Sequence, residues 1–143
     1  MRNDLIISKA IKINVNITKV WDVMTNPDLI KEYLFGTQTQ TDWKVGSDIY
    51  FRGEFEGEHY ADHGKILEYV PNQKIVYSYW SCFSGLEDIP ENYSTIKYEV
   101  KKISEEQTEL TWTQQGYADE TRYTHSQEGM EQFLEQIKGV AER

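Results

Sequence analysis

The stretch from Glu120 to Glu142, ETRYTHSQEGMEQFLEQIKGVAE, constrains the fold more than any other part of the chain. Tyr123, Met130, Phe133, Leu134 and Ile137, with Val140 and Ala141 beyond, recur at three- and four-residue steps. That is the period of one apolar face on an α-helix. Such a helix is about 30 Å long. Before it, from Leu5 to Gly116, the chain reads as strands and turns apart from one short helical region. One long helix after a run of strands must lay its stripe against their sheet, since nothing else remains to cover it. A helix about 10 Å across cannot cover six or seven strands lying flat, so the sheet is expected to curve around it. The interior between them is then either packed solid or hollow.

Taken in order, Leu5 to Ile13 alternates with Ile7, Ile11 and Ile13 on one side and predicts the first strand. Asn14 or Asn16 caps a helix over Ile17 to Thr25, whose Val20, Trp21 and Met24 share a face. Asn26-Pro27 ends it, and a second short helix follows over Asp28 to Tyr33. Thr37, Thr39 and Thr41 make a polar-faced strand, suited to a sheet edge or a wet lining. Asp48 to Phe55 alternates cleanly, with Ile49, Phe51, Gly53 and Phe55 on one side. Glu56-Gly57-Glu58 turns back into a strand over Tyr60 to Tyr69, and Pro71-Asn72 turns into one carrying Ile75, Tyr77 and Tyr79. Ser84 to Glu91 is loop-like. Tyr93 to Ile103 faces Ile96, Tyr98 and Val100 inward, and Thr108 to Gln115, ended by Gly116, faces Leu110, Trp112 and Gln114 one way. No repeat or linker interrupts this order, which predicts a single α+β domain over residues 1–143.

Composition narrows the partners. Asp plus Glu total 24 against 15 Lys plus Arg, a formal charge of −9. That field repels phosphate backbones and anionic lipid, and no basic run supplies a local exception, so neither nucleic acid nor a membrane is an expected partner. No apolar stretch is long enough for a membrane span, and the start MRNDLIISKAIKI has no secretory h-region. Cys82 is the only cysteine, which excludes an internal disulfide. A cytoplasmic monomer or homodimer is the expectation.

Several segments together resemble the START-like, or SRPBCC, superfamily, in the branch named after the activator of Hsp90 ATPase. Ile17-Thr18-Lys19-Val20-Trp21-Asp22-Val23-Met24-Thr25-Asn26-Pro27 is similar to its opening helix and asparagine-proline step. Thr41-Asp42-Trp43-Lys44-Val45-Gly46-Ser47 is similar to its tryptophan-glycine turn. Gly64 to Pro71 followed by Lys74-Ile75-Val76-Tyr77 resembles its central hairpin, and Thr108 to Tyr117 its last strand. Glu128-Gly129-Met130 stands where the family writes Gly-Trp, so Met130 keeps an apolar anchor and loses an indole donor. The resemblance spans about Ile6 to Ala141. It implies a helix-grip fold: a curved antiparallel sheet of six to seven strands wrapped around the long C-terminal helix, with two short helices after the first strand and a cavity between sheet and helix.

The wall of such a cavity would come from one parity of the strands and the inner face of the helix. Phe51, Phe55, Tyr77, Tyr79, Tyr98, Trp112, Met130 and Phe133 are the candidates, set against the plainer reading that aromatics fill a core. The chain has ten tyrosines, and each buried hydroxyl needs a partner. His59 and His63, on one side of a strand, stand about 13 Å apart, too far for one metal ion, and His125 with Glu128 is at most half a site. The sequence holds no HExxH, no nucleotide loop and no nucleophile elbow, so neither a metal nor a cofactor is assigned. Arg52 reads as a member of a surface cross-strand pair and Cys82 as quietly buried. Glu54, Glu68 and Glu99 would each serve as a general base if buried.

Three functions fit. The first is a START-like protein binding a small, mostly apolar or aromatic molecule between sheet and helix. The second is a chaperone-associated module, as the family name implies, with its acidic charge suited to a basic client. The third is a cyclase- or hydrolase-like enzyme, which requires an acid or base inside the cavity that the sequence does not single out. Gly129, inside the helix, either lets the sheet approach or leaves room at the mouth.

Overall fold

The computed structural model describes all residues, Met1–Arg143. Strand β1 (Arg2–Ile13) leads into helices α1 (Ile17–Thr25) and α2 (Pro27–Tyr33), followed by β2 (Gln38–Gln40), β3 (Asp48–Phe55), β4 (Glu58–Val70) and β5 (Lys74–Tyr79). After a loop with a 3-10 turn at Pro90–Asn92 come β6 (Ser94–Ser104), β7 (Gln107–Tyr117) and the long helix α3 (Glu120–Ala141). The strands form one curved, wholly antiparallel sheet in the order β1-β7-β6-β5-β4-β3-β2. This is the expected α+β helix-grip arrangement, with seven strands. None of its helices is long and apolar enough to cross a membrane.

Local chemistry sets the element ends. Asn16, not Asn14, caps α1: its side-chain oxygen accepts from the Lys19 amide at 2.9 Å, satisfying an amide that the helix leaves free. Asn26 does the same for α2, accepting from Asp28 at 3.0 Å, with Pro27 as first helical residue. Asp119 caps α3 by accepting from the Arg122 amide at 2.9 Å. Glu56 and Gly57 both adopt positive φ, 51° and 82°, the two-residue turn whose twist matches a hairpin. Gly116 does not end the last strand as expected. Its φ of 99° lets the chain pass through it, and pairing resumes at Tyr117 opposite Arg2.

The stripe of α3 is not buried along its whole length, which corrects the simplest sequence expectation. Leu134, Ile137, Val140 and Ala141 are buried, whereas Tyr123, Met130 and Phe133 are only partly so. The helix packs chiefly on β1, α1 and α2, with a smaller contact on β7. It runs parallel to β1, and polar contacts track the pair from end to end. Arg2 lies 3.6 Å from Glu120, Lys9 donates to the Gln127 carbonyl at 3.0 Å, Lys138 to the Lys12 carbonyl at 3.2 Å, and the Asn14 amide to Glu142 at 2.7 Å. The short helices thus clamp the C-terminal half of α3 and β1 accompanies it from end to end, while Met130 and Phe133 near its middle face the sheet across a gap. The core below the clamp is a cluster of 22 buried residues that includes Ile13, Val20, Val23, Ile49, Ile66, Ile75, Leu110 and Ile137.

Two glycines make opposite predictions. A Cβ built on Gly64 would stand 1.6 Å from the Ser78 carbonyl oxygen, so the backbones of β4 and β5 meet there with no room for a side chain. Gly129, by contrast, is exposed, and a Cβ on it meets nothing within 4 Å. The sheet therefore does not approach Gly129. Gly64→Ala is expected to lower stability by about 3 kcal/mol, the upper end for forced overpacking. Gly129→Ala is expected to raise it by about 1 kcal/mol, the helix-propensity difference. Denaturant unfolding of the two variants checks both signs.

Candidate functional site

Beneath Met130 and Phe133, sheet and helix border a cavity of about 720 Å³. Strand alternation supplies its wall. Phe51 and Phe55 come from β3, Tyr60 and Asp62 from β4, Tyr77 and Tyr79 from β5, Ile96 and Tyr98 from β6, Trp112 and Gln114 from β7. Met130 and Phe133 of α3, with Leu34, Phe35 and Thr37 after α2, form the opposite side, and Phe83 reaches over from the loop after β5. The register brings wall residues side by side: Phe51 pairs with Asp62, Tyr77 with Ile96, Tyr98 with Trp112 and Ile96 with Gln114. Phe51 lies 5.6 Å, ring centre to ring centre, from both Tyr77 and Tyr79.

All eight residues nominated from the sequence, Phe51, Phe55, Tyr77, Tyr79, Tyr98, Trp112, Met130 and Phe133, border this cavity. Their surroundings differ. Phe51, Tyr77 and Trp112 are buried in the wall. Tyr98 is enclosed by protein yet keeps accessible surface, because that surface faces the cavity. Phe55, 58% exposed, belongs to the mouth with Phe83 at 52% and Phe35 at 85%. Phe83 is edge-on to both Phe55, at 6.2 Å, and Tyr60, at 5.5 Å. Burial pushes the phenols of Tyr77, Tyr79 and Tyr98 well up, so each keeps its hydroxyl proton at neutral pH.

Among the polar residues of the wall, the sequence reading named Thr37, Glu54 and Gln114 but not Asp62. Asp62 is 6% exposed, a carboxylate among aromatics, where burial is costly unless donors meet it. Two do: the Tyr79 hydroxyl donates to Oδ2 at 2.6 Å and the Cys82 amide to Oδ1 at 3.0 Å. Burial and then the Asp62 charge raise the Tyr79 phenol. Nearby, Tyr60 and Thr37 share a hydrogen bond at 2.6 Å, and Gln114 directs its amide to Ser94 at 3.3 Å and to the Gly116 carbonyl at 3.1 Å. A side recess of about 30 Å³ shares Leu34, Phe51, Tyr77 and Tyr98 with the cavity and holds the buried, unpartnered hydroxyl of Thr39. Asp62 had one sequence signal. It shares a parity with Gly64 and Ile66 on β4, so an inward Ile66 carries Asp62 inward too.

The other nominated groups lie away from this chemistry. Glu54 borders the cavity but is exposed, Glu68 is held by Lys74 at 3.0 Å, and Glu99 by Lys97 at 3.3 Å. None is a buried base; the buried carboxylate is Asp62. His59 and His125 are exposed, as is Glu128. His63 is on the outer face, with Nε2 3.1 Å from Asp88 and Nδ1 3.4 Å from the Tyr93 hydroxyl. Arg52 donates to Gln40 of the neighbouring strand at 2.7 Å and lies over the Tyr50 ring. Its cross-strand partner is an amide, not a carboxylate. Cys82 is exposed rather than buried, because the chain has left β5 and turns at Ser81–Ser84. Partial desolvation and the adjacent Asp62 push its thiol up, which disfavours the reactive thiolate.

Comparison with known proteins agrees with this architecture. The family model described as "Activator of Hsp90 ATPase homolog 1-like protein" matches residues 14–142. A protein of Cytophaga hutchinsonii solved in solution is 36% identical, with 96% of this chain and 94% of that one aligned at a TM-score of 0.81. An Hsp90 activator from Plasmodium falciparum (20% identity, 95% of each chain, TM-score 0.74) and the Aha1 dimer from Colwellia psychrerythraea (19%, 96% of each, 0.72) share the fold. Among proteins of curated function, none matches the sequence.

Tyr79→Phe leaves the ring in the wall and removes one donor from a buried carboxylate. A hydrogen bond to a charged group contributes about 1.5–3 kcal/mol, so the variant is expected to lose about 2 kcal/mol in denaturant unfolding. A loss below about 0.5 kcal/mol would show that Asp62 does not depend on it.

Proposed function

The chain belongs to the activator of Hsp90 ATPase homolog 1-like family, and from that premise we propose that it binds a small, mostly apolar or aromatic molecule between its sheet and α3. The observation that carries this reading is the cavity itself. Its volume of about 720 Å³ falls within the roughly 300–1,000 Å³ of small-molecule sites. Thirteen of its seventeen lining residues are hydrophobic, so the occupant must be largely apolar, with few polar groups to match Asp62, Tyr60 and Thr37. Phe51, Tyr77, Tyr79, Tyr98, Trp112 and Phe133 supply the aromatic contact, and Phe55 and Met130 flank the entry. The lone exposed thiol of Cys82 suits a reducing cytoplasm, which we take as the location.

Met130 is the residue through which the pocket can be tested. It stands near the middle of α3, half-buried against the cavity, so a larger side chain there invades the void and leaves the clamp alone. N-phenyl-1-naphthylamine, a neutral fluorophore, is expected to brighten and saturate on the wild-type protein. Met130→Trp is expected to weaken it by about tenfold, or about 1.4 kcal/mol, with an unchanged circular-dichroism spectrum. A wild-type protein that leaves the fluorophore dark overturns the reading.

The aromatic rim favours a second reading. Phe35, Phe55 and Phe83 are large apolar side chains with more than half their surface in water, gathered at one mouth on a chain of charge −9. Exposed apolar clusters of this kind serve protein contacts, and a chaperone of the Hsp90 type is the partner that the family name suggests. A Phe35→Ser/Phe83→Ser variant is expected to lose complex formation with the cognate Hsp90-type chaperone in a pull-down and to lose stimulation of its ATPase. Absence of both with the wild-type protein removes this reading, and a rim-dependent self-association on size exclusion assigns the rim to a second copy instead.

A further inference from the structure

We propose that the cavity selects for charge: its occupant carries a protonated amine on the apolar or aromatic body, Asp62 receives that amine, and carboxylates and other anions are excluded. This rests on the cavity-binding reading and names the class of ligand. The wall contains two carboxylates, Asp62 and Glu54, and no lysine, arginine or histidine. Arg122, a cation that reaches the rim at Phe83, is already held by Asp119 at 2.6 Å and by the Phe83 carbonyl at 3.1 Å. An anion entering the cavity would therefore lose its hydration and meet no positive partner.

Asp62 has the opposite character. Its two oxygens offer about four acceptor positions, and the protein fills two of them, one from Tyr79 and one from the Cys82 amide. The remaining capacity lies in a wall whose other members are mostly rings: Phe51 is its pairing partner on β3, and Tyr79 is both its donor and a wall residue. Aromatic faces attract cations through their quadrupole. A buried carboxylate beside aromatic rings thus gives an ammonium group both an ion pair and faces to lie against. Gln114 adds no competing donor, since its amide is spent on Ser94 and Gly116.

The test uses three probes with one naphthalene body: 2-naphthylmethylamine, protonated at neutral pH, the neutral 2-naphthylmethanol, and the anionic 2-naphthaleneacetate. Titration calorimetry on the full chain is expected to rank them in that order, the amine at least about tenfold tighter than the acetate, as one charge-assisted hydrogen bond supplies. The preference is expected to persist in about 0.5 M salt, where the general field of an acidic protein is screened and a buried pair is not. In Asp62→Asn the amine is expected to fall to the affinity of the alcohol, which itself moves less than about threefold. Tyr79→Phe, which frees acceptor capacity on Asp62, is expected to keep or widen the preference for the amine. That variant decides the matter if Asp62→Asn does not fold. Acetate binding as tightly as the amine overturns the proposal, as does a preference that vanishes in salt, survives Asp62→Asn or is lost in Tyr79→Phe. If the three probes bind equally and Met130→Trp weakens them all, the cavity reading stands and the charge selection falls. If none binds, both fall.

Discussion

The clamp on the C-terminal half of α3 is the constraint from which the rest of the structure follows. Leu134, Ile137 and Val140 are buried against β1 and the two short helices, and full burial of each such side chain contributes about 1.5–3 kcal/mol. Because the helix is held along β1, the first strand of the sheet, its position over the other strands is decided there. The seven strands continue away from β1 to β2, and the curvature that wraps them around the helix leaves a gap beneath Met130 and Phe133. Tyr117 holds the N-terminal part of α3, meeting Tyr123 edge-on at 5.5 Å and bonding Ser126 at 3.0 Å. The cavity thus lies where a helix fixed along one edge strand spans the concave middle of the sheet.

Much of this was legible because period and punctuation are local. Asn16, Asn26-Pro27 and Glu56-Gly57 announce their caps and turns within a few residues, and alternation on β3, β5, β6 and β7 places Phe51, Tyr77, Tyr98 and Trp112 on one face without any knowledge of the fold. The extent of burial was not legible. Met130 and Leu134 belong to the same stripe, yet one borders a void and the other packs in the core, a difference set by how far α1, α2 and β1 reach. Asp62 was missed for a related reason. Its neighbourhood reads as the polar start of a strand, and although its parity with Ile66 turns it inward, only the fold brings up the donors that meet it, Tyr79 and the Cys82 amide. Cys82 itself was misplaced because a residue that follows the aromatic strand Tyr77–Trp80 resembles core until the chain is seen to turn.

Gly64 shows how the middle of the sheet is made to curve. Its backbone comes so close to Ser78 that a methyl group has no place, and the register between β4 and β5 shifts between Ile66 and Glu68. A close approach beside an irregularity bends a sheet. The irregularity lies on the two strands that carry Asp62 and Tyr79, whose carboxylate and hydroxyl stand 2.6 Å apart.

The size of the cavity finally bears on what it is for. An empty, dry void destabilises a core by about 24 cal/mol per Å³. Applied to 720 Å³, that figure gives about 17 kcal/mol, more than the roughly 5–15 kcal/mol by which a domain is stable. The space therefore cannot be core that failed to close. It must act as internal surface in exchange with solvent through the mouth at Phe35, Phe55 and Phe83, with Asp62, Tyr60 and Thr37 as its wet points. An apolar body would suit such a surface, set against its rings, and the proposed amine would meet Asp62, the one buried carboxylate of the wall.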